Sequence, residues 1–182
     1  MRIIGGIHSG RRLIAVPGSD TRPTADRVRE ALFNIWQTRV ADAQLWDAYA
    51  GTGAIGLEAI SRGAAWVDFS ESARDAIKTL RRNVDLLNVT DRARIWSKTA
   101  EEYLAQAHRE GRQFDLIFLD PPWRLGVSSV VRDGLAGVLA PDGIAVVESR
   151  QDNPVAPLSD LHQLWTRRYG DTRLTAFGLT SP

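Results

Sequence analysis

The sequence predicts an α/β fold built on one doubly wound, mostly parallel sheet. From residue 44 onward, short apolar runs alternate with stretches of helical periodicity, a pattern typical of βαβ units. A glycine-rich turn follows the first apolar run, and Gly170-Asp171 separates two β-like runs near the end of the chain. Because such a dipeptide favours a hairpin, we expect a Rossmann-like sheet that ends in an antiparallel C-terminal hairpin with a reversed edge strand.

The first 39 residues are expected to form an extension made of a β-hairpin and a helix. Two β-prone runs at 2–4 and 14–16 surround glycine turns, and apolar residues at helical spacing mark a helix over 24–37. The predicted boundary separates this extension, residues 1–39, from one compact unit, residues 40–182.

The remaining elements follow from the same alternation, with no internal repeat, linker or low-complexity segment between them. The predicted strands lie at 45–49, 66–70, 93–96, 114–119 and 144–148, the helices at 54–62, 73–88, 100–110 and 127–139, and the hairpin strands at 163–169 and 172–179.

The charge of the chain is divided between its two parts. The whole sequence has a net charge of +1, but residues 1–39 contain seven arginines against three acidic residues, whereas the rest carries 16 basic and 19 acidic residues. A basic arm of this kind is typical of proteins that bind an anionic partner. In the predicted helix, Val28, Leu32 and Ile35 form one apolar face, so Arg27 and Arg29 would point away from it.

The composition excludes several classes of protein. The 182 residues include no cysteine, which excludes disulfides, thiolate nucleophiles and cysteine-ligated metal sites. The three histidines lie in unrelated contexts, so a metal enzyme is not expected. No apolar run approaches the ~20 residues of a membrane span, and the N-terminus lacks a signal-peptide core. We therefore expect a cytoplasmic protein that does not enter a membrane.

The turn after the first strand is a candidate cofactor site. Residues 51–56 read Gly-Thr-Gly-Ala-Ile-Gly, and glycines at this spacing allow a tight turn and a close approach of a ligand to the backbone. Dinucleotide enzymes hold a pyrophosphate on such a loop, but Asp47 at the end of the strand would repel one. A carboxylate suits a cationic ligand or its amino group, so the candidate contacts are Asp47, Gly51, Thr52 and Gly53.

An acidic residue after the second strand completes this site. Glu71 lies 18 residues after Gly53, where nucleoside-binding folds of this kind place a carboxylate on the ribose hydroxyls. Asp68 is the rival for this role, but it lies in the middle of the predicted strand. The alternative for Glu71 is an acid at the start of the next helix, which stabilises the helix dipole by a few tenths to about 1 kcal/mol.

The fourth strand runs directly into Asp120-Pro121-Pro122-Trp123. Because ligands bind beyond the carboxyl ends of parallel strands, this loop is expected beside the glycine loop. The Asp120 carboxylate and the Pro121 carbonyl would accept hydrogen bonds from an amine, and Trp123 would stack on a flat ring. The structural alternative is a strand that simply ends at the prolines, with Trp123 as a core side chain.

These motifs resemble those of S-adenosylmethionine-dependent methyltransferases that act on the amino groups of nucleobases. The Asp-Pro-Pro-aromatic loop is shared with adenine methyltransferases, whereas the N-terminal block looks like that of the bacterial small-subunit ribosomal RNA guanine-N2 methyltransferases, the RsmD type. The segments that carry this narrower resemblance lie at 2–6, 10–13, 22–34, 56–64 and 168–172.

The resemblance implies a reaction and roles for the Asp-Pro-Pro-Trp loop. The cofactor would be S-adenosyl-L-methionine, and its methyl group would pass to guanine N2. Asp120 and the Pro121 carbonyl would orient the amine, and Pro122 and Trp123 would complete the catalytic set. The target base would have to be unpaired or flipped out of its stack to reach them.

The resemblance also implies a cofactor contact after the third strand. Such enzymes usually offer Asp or Asn to the cofactor's adenine amine, and this sequence has Thr99 there. A hydroxyl accepts one hydrogen bond, so Thr99 and the neighbouring Ala100 are assigned to the cofactor.

The basic arm is the expected contact with RNA, and the implied partner is ribosomal RNA or the small ribosomal subunit. About two of the candidate arginines are expected to pair with nearby acids instead. A monomer is expected because no long amphipathic heptad is present. The candidate contacts are Arg11, Arg12, Arg22, Arg27 and Arg29.

Three alternatives stay open on the sequence alone. An adenine-N6 methyltransferase on DNA or RNA would use the same Asp120 loop. An NAD-linked oxidoreductase is disfavoured by Asp47 and by the lack of a histidine or lysine suited to a hydride site. A non-catalytic RNA-binding module would keep the fold without transferring a methyl group.

Overall fold

The computed structural model describes residues 1–18, 23–122 and 124–179 of the chain. In this part of the chain, the alternating apolar and helical segments fold into one sheet with helices between its strands. The elements in chain order are α1 (Pro23–Trp36), β1 (Gln44–Asp47), α2 (Ala54–Ser61), β2 (Trp66–Ser70), α3 (Arg74–Leu87), β3 (Ala93–Trp96), α4 (Ala100–Arg109), β4 (Phe114–Leu119), α5 (Ser129–Gly134), β5 (Leu139–Arg150), β6 (Leu161–Tyr169) and β7 (Thr172–Leu179).

The strand order is β3-β2-β1-β4-β5-β7-β6, and β1 to β5 are parallel. This topology confirms the predicted fold class, including the antiparallel hairpin, since β7 runs antiparallel to both β5 and β6. The reversed strand was predicted at the edge of the sheet, and this position was wrong. The reversed strand is β7, which lies between β5 and β6. Six of the eight residues of β7 are buried, whereas β6 is largely exposed. The more apolar strand therefore takes the inner position.

The segment before β5 differs most from the predicted elements. The helix expected over 127–139 is only α5 followed by a 3₁₀ turn over 135–138, and β5 extends beyond the predicted 144–148 at both ends. Gly134 and Gly137 explain the short helix, because glycine destabilises a helix interior by about 1 kcal/mol. A Cβ atom at Gly137 would also lie 2.3 Å from the His108 ring, so this segment packs too closely for larger residues.

The N-terminal hairpin is shorter than predicted. Arg2 and Arg12 form an isolated antiparallel bridge, supported by the bond from the Ile3 amide to the Arg11 carbonyl at 2.9 Å. Between these two short stretches the chain makes turns rather than strands.

Helix α1 confirms the predicted element, but its buried face is different. Val28 and Leu32 are buried as expected, together with Phe33 and Trp36, whereas Ile35 is 37% exposed. The prediction that Arg29 points away from the core was wrong, since its side chain is buried on this face. The buried carboxylate of Glu58 lies 3.8 Å from the Arg29 guanidinium and favours this inward position.

Three polar side chains hold the N-terminal segment against the sheet domain. Glu58 of α2 is fully buried and accepts hydrogen bonds from the Ile4 and Gly5 amides, both at 2.7 Å. The Ser61 hydroxyl donates to the Gly5 carbonyl, and Asn83 exchanges hydrogen bonds with the backbone of Ile14. These contacts give the extension a fixed place beside the glycine loop.

Two features are absent from the described residues, a membrane-spanning helix and a metal-binding cluster. No helix in this part of the chain is both long enough and apolar enough to cross a bilayer. No group of three or more His, Asp or Glu side chains among these residues is arranged to hold a metal ion.

Candidate functional site

A cleft opens where β1 to β4 end, at the carboxyl edge of the sheet. Its cavity has a volume of about 800 Å³, which lies within the usual range for small-molecule sites. The predicted residues Glu71, Thr99, Ala100, Asp120 and Pro121 all line it. The sheet topology therefore brings three separate sequence motifs to one place.

The glycine loop lines an adjoining cavity of about 210 Å³, which shares Tyr49 and Asp120 with the main cleft. Gly51 and Gly53 have φ angles of 55° and 80°, in the left-handed region that glycine adopts at low cost. A Cβ atom at Gly53 would lie 2.3 Å from Leu80, whereas one at Gly51 would meet nothing within 4 Å. Gly53 is thus packed against α3, and Gly51 faces open space. Between these two glycines, the backbone carbonyl of Thr52 accepts a hydrogen bond from the Asn83 side chain, which holds the loop in place.

Asp47 lies beneath this loop and is only 2% exposed. Among the described residues, its carboxylate accepts one hydrogen bond, from the Gly56 amide at 3.1 Å. Burial, together with the nearby charges of Asp120 and Glu71, raises the pKa of Asp47 to about 7 despite that hydrogen bond. A buried carboxylate with a single donor favours a cationic group nearby.

Glu71 connects the second strand to the glycine loop. One carboxylate oxygen accepts from the Gly51 amide, and the other accepts from the Ser72 and Ala73 amides, all at 2.8 Å. The alternative role of Glu71 at the start of the next helix is therefore present in the structure. The oxygen that binds Gly51 has a second lone pair, and the residue lines the cleft, so the ribose role stays open to it.

The rival Asp68 has a structural role instead. It is 1% exposed, forms an ion pair with Arg112, and accepts a hydrogen bond from the Trp96 indole at 2.9 Å. These contacts tie β2 to β3 and to the segment after α4. Asp68 is not among the residues that line the cleft.

The loop after β4 separates two cavities. Pro121 lines both the main cleft and a second cavity of about 300 Å³. The Pro122 carbonyl accepts hydrogen bonds from the Leu125 and Gly126 amides at 2.8 and 3.0 Å, which holds the loop in a tight turn. Burial raises the pKa of Asp120, although its side chain still opens into the cleft. Trp123 lies outside the described residues.

Comparison with known proteins assigns the chain to a family. The family model "Conserved hypothetical protein 95" matches residues 1–178. Ribosomal RNA small subunit methyltransferase D of Escherichia coli (strain K12) is 39% identical over 168 residues, which cover 90% of this chain and 83% of that protein. This chain belongs to the ribosomal RNA small subunit methyltransferase D family. The assignment confirms the resemblance drawn from the sequence.

Solved structures agree with the family assignment. A proposed methyltransferase from Escherichia coli superposes with a TM-score of 0.85 at 33% identity, covering 100% of this chain and 99% of that one. A SAM-dependent methyltransferase from Agrobacterium tumefaciens has a similar fold, with a TM-score of 0.65 at 17% identity over 88% of this chain and 63% of that one.

Thr99 in this family member is committed to a helix cap. Its hydroxyl accepts from the Glu102 amide at 3.3 Å, and the Glu102 carboxylate accepts from the Thr99 amide at 2.9 Å. This capping box stabilises the start of α4. Thr99 still lines the cleft beside Ala100, so a cofactor contact there stays a prediction.

The five candidate RNA contacts are not equivalent. Arg11, Arg12 and Arg27 are exposed, although the Arg11 guanidinium also donates to the Leu86 carbonyl at 2.7 Å. Arg29 is only 3% exposed and faces Asp26 and Glu58. Its assignment to RNA was wrong, because burial leaves it inaccessible to a phosphate. Arg22 lies outside the described residues.

Two acidic residues of the site were not singled out from the sequence. Glu101 lines the main cleft; partial burial opposes its ionisation, but hydrogen bonds, chiefly from Ser128, keep its pKa below the usual value. Glu148, near the end of β5, lines the second cavity. The signal for Glu148 was its place at the carboxyl end of a predicted strand, like Asp47 and Asp120.

Proposed function

We propose that this protein is an S-adenosylmethionine-dependent methyltransferase that methylates the exocyclic N2 amine of a guanine in small-subunit ribosomal RNA. The observation that carries the proposal is the position of Asp120, which lines both the main cleft with Glu71 and Pro121 and the adjoining cavity with Asp47, Gly51 and Thr52. Family membership supports ribosomal RNA as the substrate.

The described residues of the cleft fit the cofactor. The cavity is large enough for a nucleoside with an amino-acid side chain, and the open face of Gly51 lets a ligand approach the backbone. Asp47 would hold the cofactor's cationic end, Thr52 and Gly53 would shape the loop around it, and Glu71 would accept from its ribose. Thr99 and Ala100 would border its adenine. When bound, the cofactor supplies an electrophilic methyl group on a sulfonium.

The chain's own contribution to catalysis is orientation and electrostatics. The lone pair of guanine N2 is delocalised into the ring, so the amine is a poor nucleophile. The Asp120 carboxylate and the Pro121 carbonyl would accept hydrogen bonds from the N2 amine and orient its lone pair toward the methyl group. Pro122 stiffens this wall through its fixed φ angle. Trp123, which lies outside the described residues, is assigned from the sequence to stack on the flipped base in place of the base's neighbour in the RNA.

The N-terminal segment supplies the RNA contacts in this proposal. Arg11, Arg12 and Arg27 present exposed guanidinium groups, and Arg22 belongs to the same basic segment. Residues 1–39 thus act as the RNA-binding extension and residues 40–182 as the methyltransferase domain. The enzyme works as a monomer in the cytoplasm, where ribosomal subunits are present.

A methyl-transfer assay tests this function. Tritiated S-adenosylmethionine is offered with unmethylated small-subunit RNA, assembled subunits, bare DNA and protein. We expect label in ribosomal RNA or in subunits alone. Label in DNA would favour the adenine-N6 alternative, and no label in any RNA would favour a binding module.

The same assay tests the role of Asp120. Asp120→Ala should lower kcat by about 10²–10³-fold, the usual cost of removing one preorganised polar contact to the reacting group. Its affinity for S-adenosylhomocysteine, measured by calorimetry, should change little. Undiminished methylation by Asp120→Ala would contradict the proposed mechanism.

A further inference from the structure

Glu148 and Asp120 lie side by side at the carboxyl edge of the sheet. Leu119 of β4 is in register with Val147 of β5, so the residues that follow them occupy the same level on adjacent parallel strands. Such strands are about 4.8 Å apart, and paired side chains point to the same face. Both carboxylates accordingly line one cavity of about 210 Å³ beside Arg29 and the glycine loop.

Glu148 also borders the second cavity, on the far side of Pro121. Its side chain is half-buried, and within the described part of the chain no hydrogen-bond donor contacts its carboxylate. Burial and the neighbouring Asp120 raise the pKa of Glu148. When ionised, this carboxylate has two acceptor oxygens, and two N–H donors on a ligand would favour that ionised form.

The two carboxylate oxygens of Glu148, next to Asp120, match the hydrogen-bonding edge of one nucleobase better than that of another. The Watson–Crick edge of guanine presents N1–H and N2–H donors side by side, which match the two oxygens of one carboxylate. Adenine N1 is instead an acceptor. Placed against an ionised carboxylate, it would form no hydrogen bond, because neither atom carries a hydrogen. An enzyme that flips its target base reads it through this edge.

We propose that Glu148 is the residue that selects guanine: its carboxylate accepts from N1–H and from one N2–H of the flipped base. This inference rests on the proposed function, because it assumes that N2 is the methylated atom. Asp120 and the Pro121 carbonyl then face the remaining N2–H. Adenine is rejected because its N1 and the Glu148 carboxylate are both acceptors, and leaving buried acceptors unpaired is costly.

The test compares Glu148→Gln with wild type on a short RNA that carries either guanosine or adenosine at the mapped target position. We expect Glu148→Gln to lower kcat/KM on guanosine by about 10–100-fold, the usual discrimination of a bidentate base contact. Because a glutamine amide can donate to adenine N1 and accept from N6–H, the preference for guanosine over adenosine should also fall. Calorimetric affinity for S-adenosylhomocysteine should stay within about twofold.

Two further variants keep the test decisive. Glu148→Asp retains both acceptors on a shorter side chain and should keep part of the guanosine preference, which a loss of folding would not. Glu30→Gln, at an exposed position of α1, is the matched control and should behave as wild type. Wild-type preference and rate in Glu148→Gln, or a parallel loss of S-adenosylhomocysteine affinity, would overturn the inference. If wild type itself makes no N2-methylguanosine, the proposed function fails instead.

Discussion

Two buried carboxylates in this molecule have opposite surroundings. Glu58 is 0% exposed, and backbone amides and the Arg62 side chain donate to it, with Arg29 3.8 Å away. Asp47 is 2% exposed but accepts a single hydrogen bond from the described part of the chain, and its pKa is raised to about 7. A carboxylate whose acceptors are filled by the protein holds the fold together. One whose acceptors are largely unfilled is stabilised only when a ligand arrives, which is typical of functional sites.

Removing Glu58 should have the largest effect on stability. Glu58→Ala removes one of the two acids that face the buried Arg29 guanidinium and leaves the Ile4 and Gly5 amides without their acceptor, so we expect a loss of about 3–5 kcal/mol in the free energy of unfolding. Urea denaturation measures it. Glu30→Ala on the exposed side of α1 is the control and should change stability by less than about 0.5 kcal/mol. A similarly small loss for Glu58→Ala would remove the contrast with Asp47.

Gly51 and Gly53 of the glycine loop differ in what a side chain would meet. Substituting each in turn therefore distinguishes the cost of backbone strain from the cost of a steric clash. Gly53→Ala combines an unfavourable φ of 80° with a Cβ atom 2.3 Å from Leu80, so it should cost about 2–3 kcal/mol. Gly51→Ala has only the φ penalty, about 1 kcal/mol, because nothing lies near its Cβ. Thermal denaturation compares them. Equal losses would mean that Leu80 moves aside.

Asp47→Asn tests whether the buried Asp47 carboxylate, unlike that of Glu58, destabilises the folded protein when no ligand is bound. The folded-state pKa of Asp47 lies above its unfolded value of about 3.9, so the folded state binds more protons and stability falls as pH rises from about 4 to about 7. The neutral amide of Asp47→Asn removes the cost of burying an ionised carboxylate. We expect the free energy of unfolding, measured by urea denaturation, to rise by about 1–3 kcal/mol at pH 8 and by less as the pH approaches 4.

The same substitution should weaken cofactor binding. Loss of a charged acceptor lowers affinity for S-adenosylmethionine about tenfold, as calorimetry at pH 8 would measure. A variant that is less stable at pH 8, or that binds the cofactor as wild type does, would place Asp47 with Glu58 among the structural carboxylates.

The exposed arginines of the arm should have the smallest effect. Arg11→Ala combined with Arg12→Ala should weaken RNA binding and reduce the slope of log affinity against log salt by about 1.4, since each single-strand phosphate contact contributes about 0.7. Cofactor affinity should not change. Arg167→Ala with Arg168→Ala, an exposed pair on β6, is the control, and an equal effect from that pair would remove the case for a dedicated arm.

The sequence predicts the parts of this molecule that depend on local pattern. Strand and helix order, the glycine turn and the Asp120 loop follow from periodicity and turn chemistry, and the position of α4 agrees to within one residue. Arg29 and β7 could not be placed in this way, because their positions depend on distant partners. Glu58, 29 residues beyond Arg29 in the sequence, draws that arginine inward, and β7 takes its inner place by pairing with β5.

Analysis of ribosomal RNA nucleosides tests the central claim most directly. Small-subunit RNA from a strain that lacks this gene is digested and examined by mass spectrometry before and after incubation with the purified enzyme and S-adenosylmethionine. The account predicts that one N2-methylguanosine is missing from the deletion strain and is restored by wild type but not by Asp120→Ala. Restoration of a methyladenosine, or of N2-methylguanosine by Asp120→Ala at the wild-type rate, would contradict it.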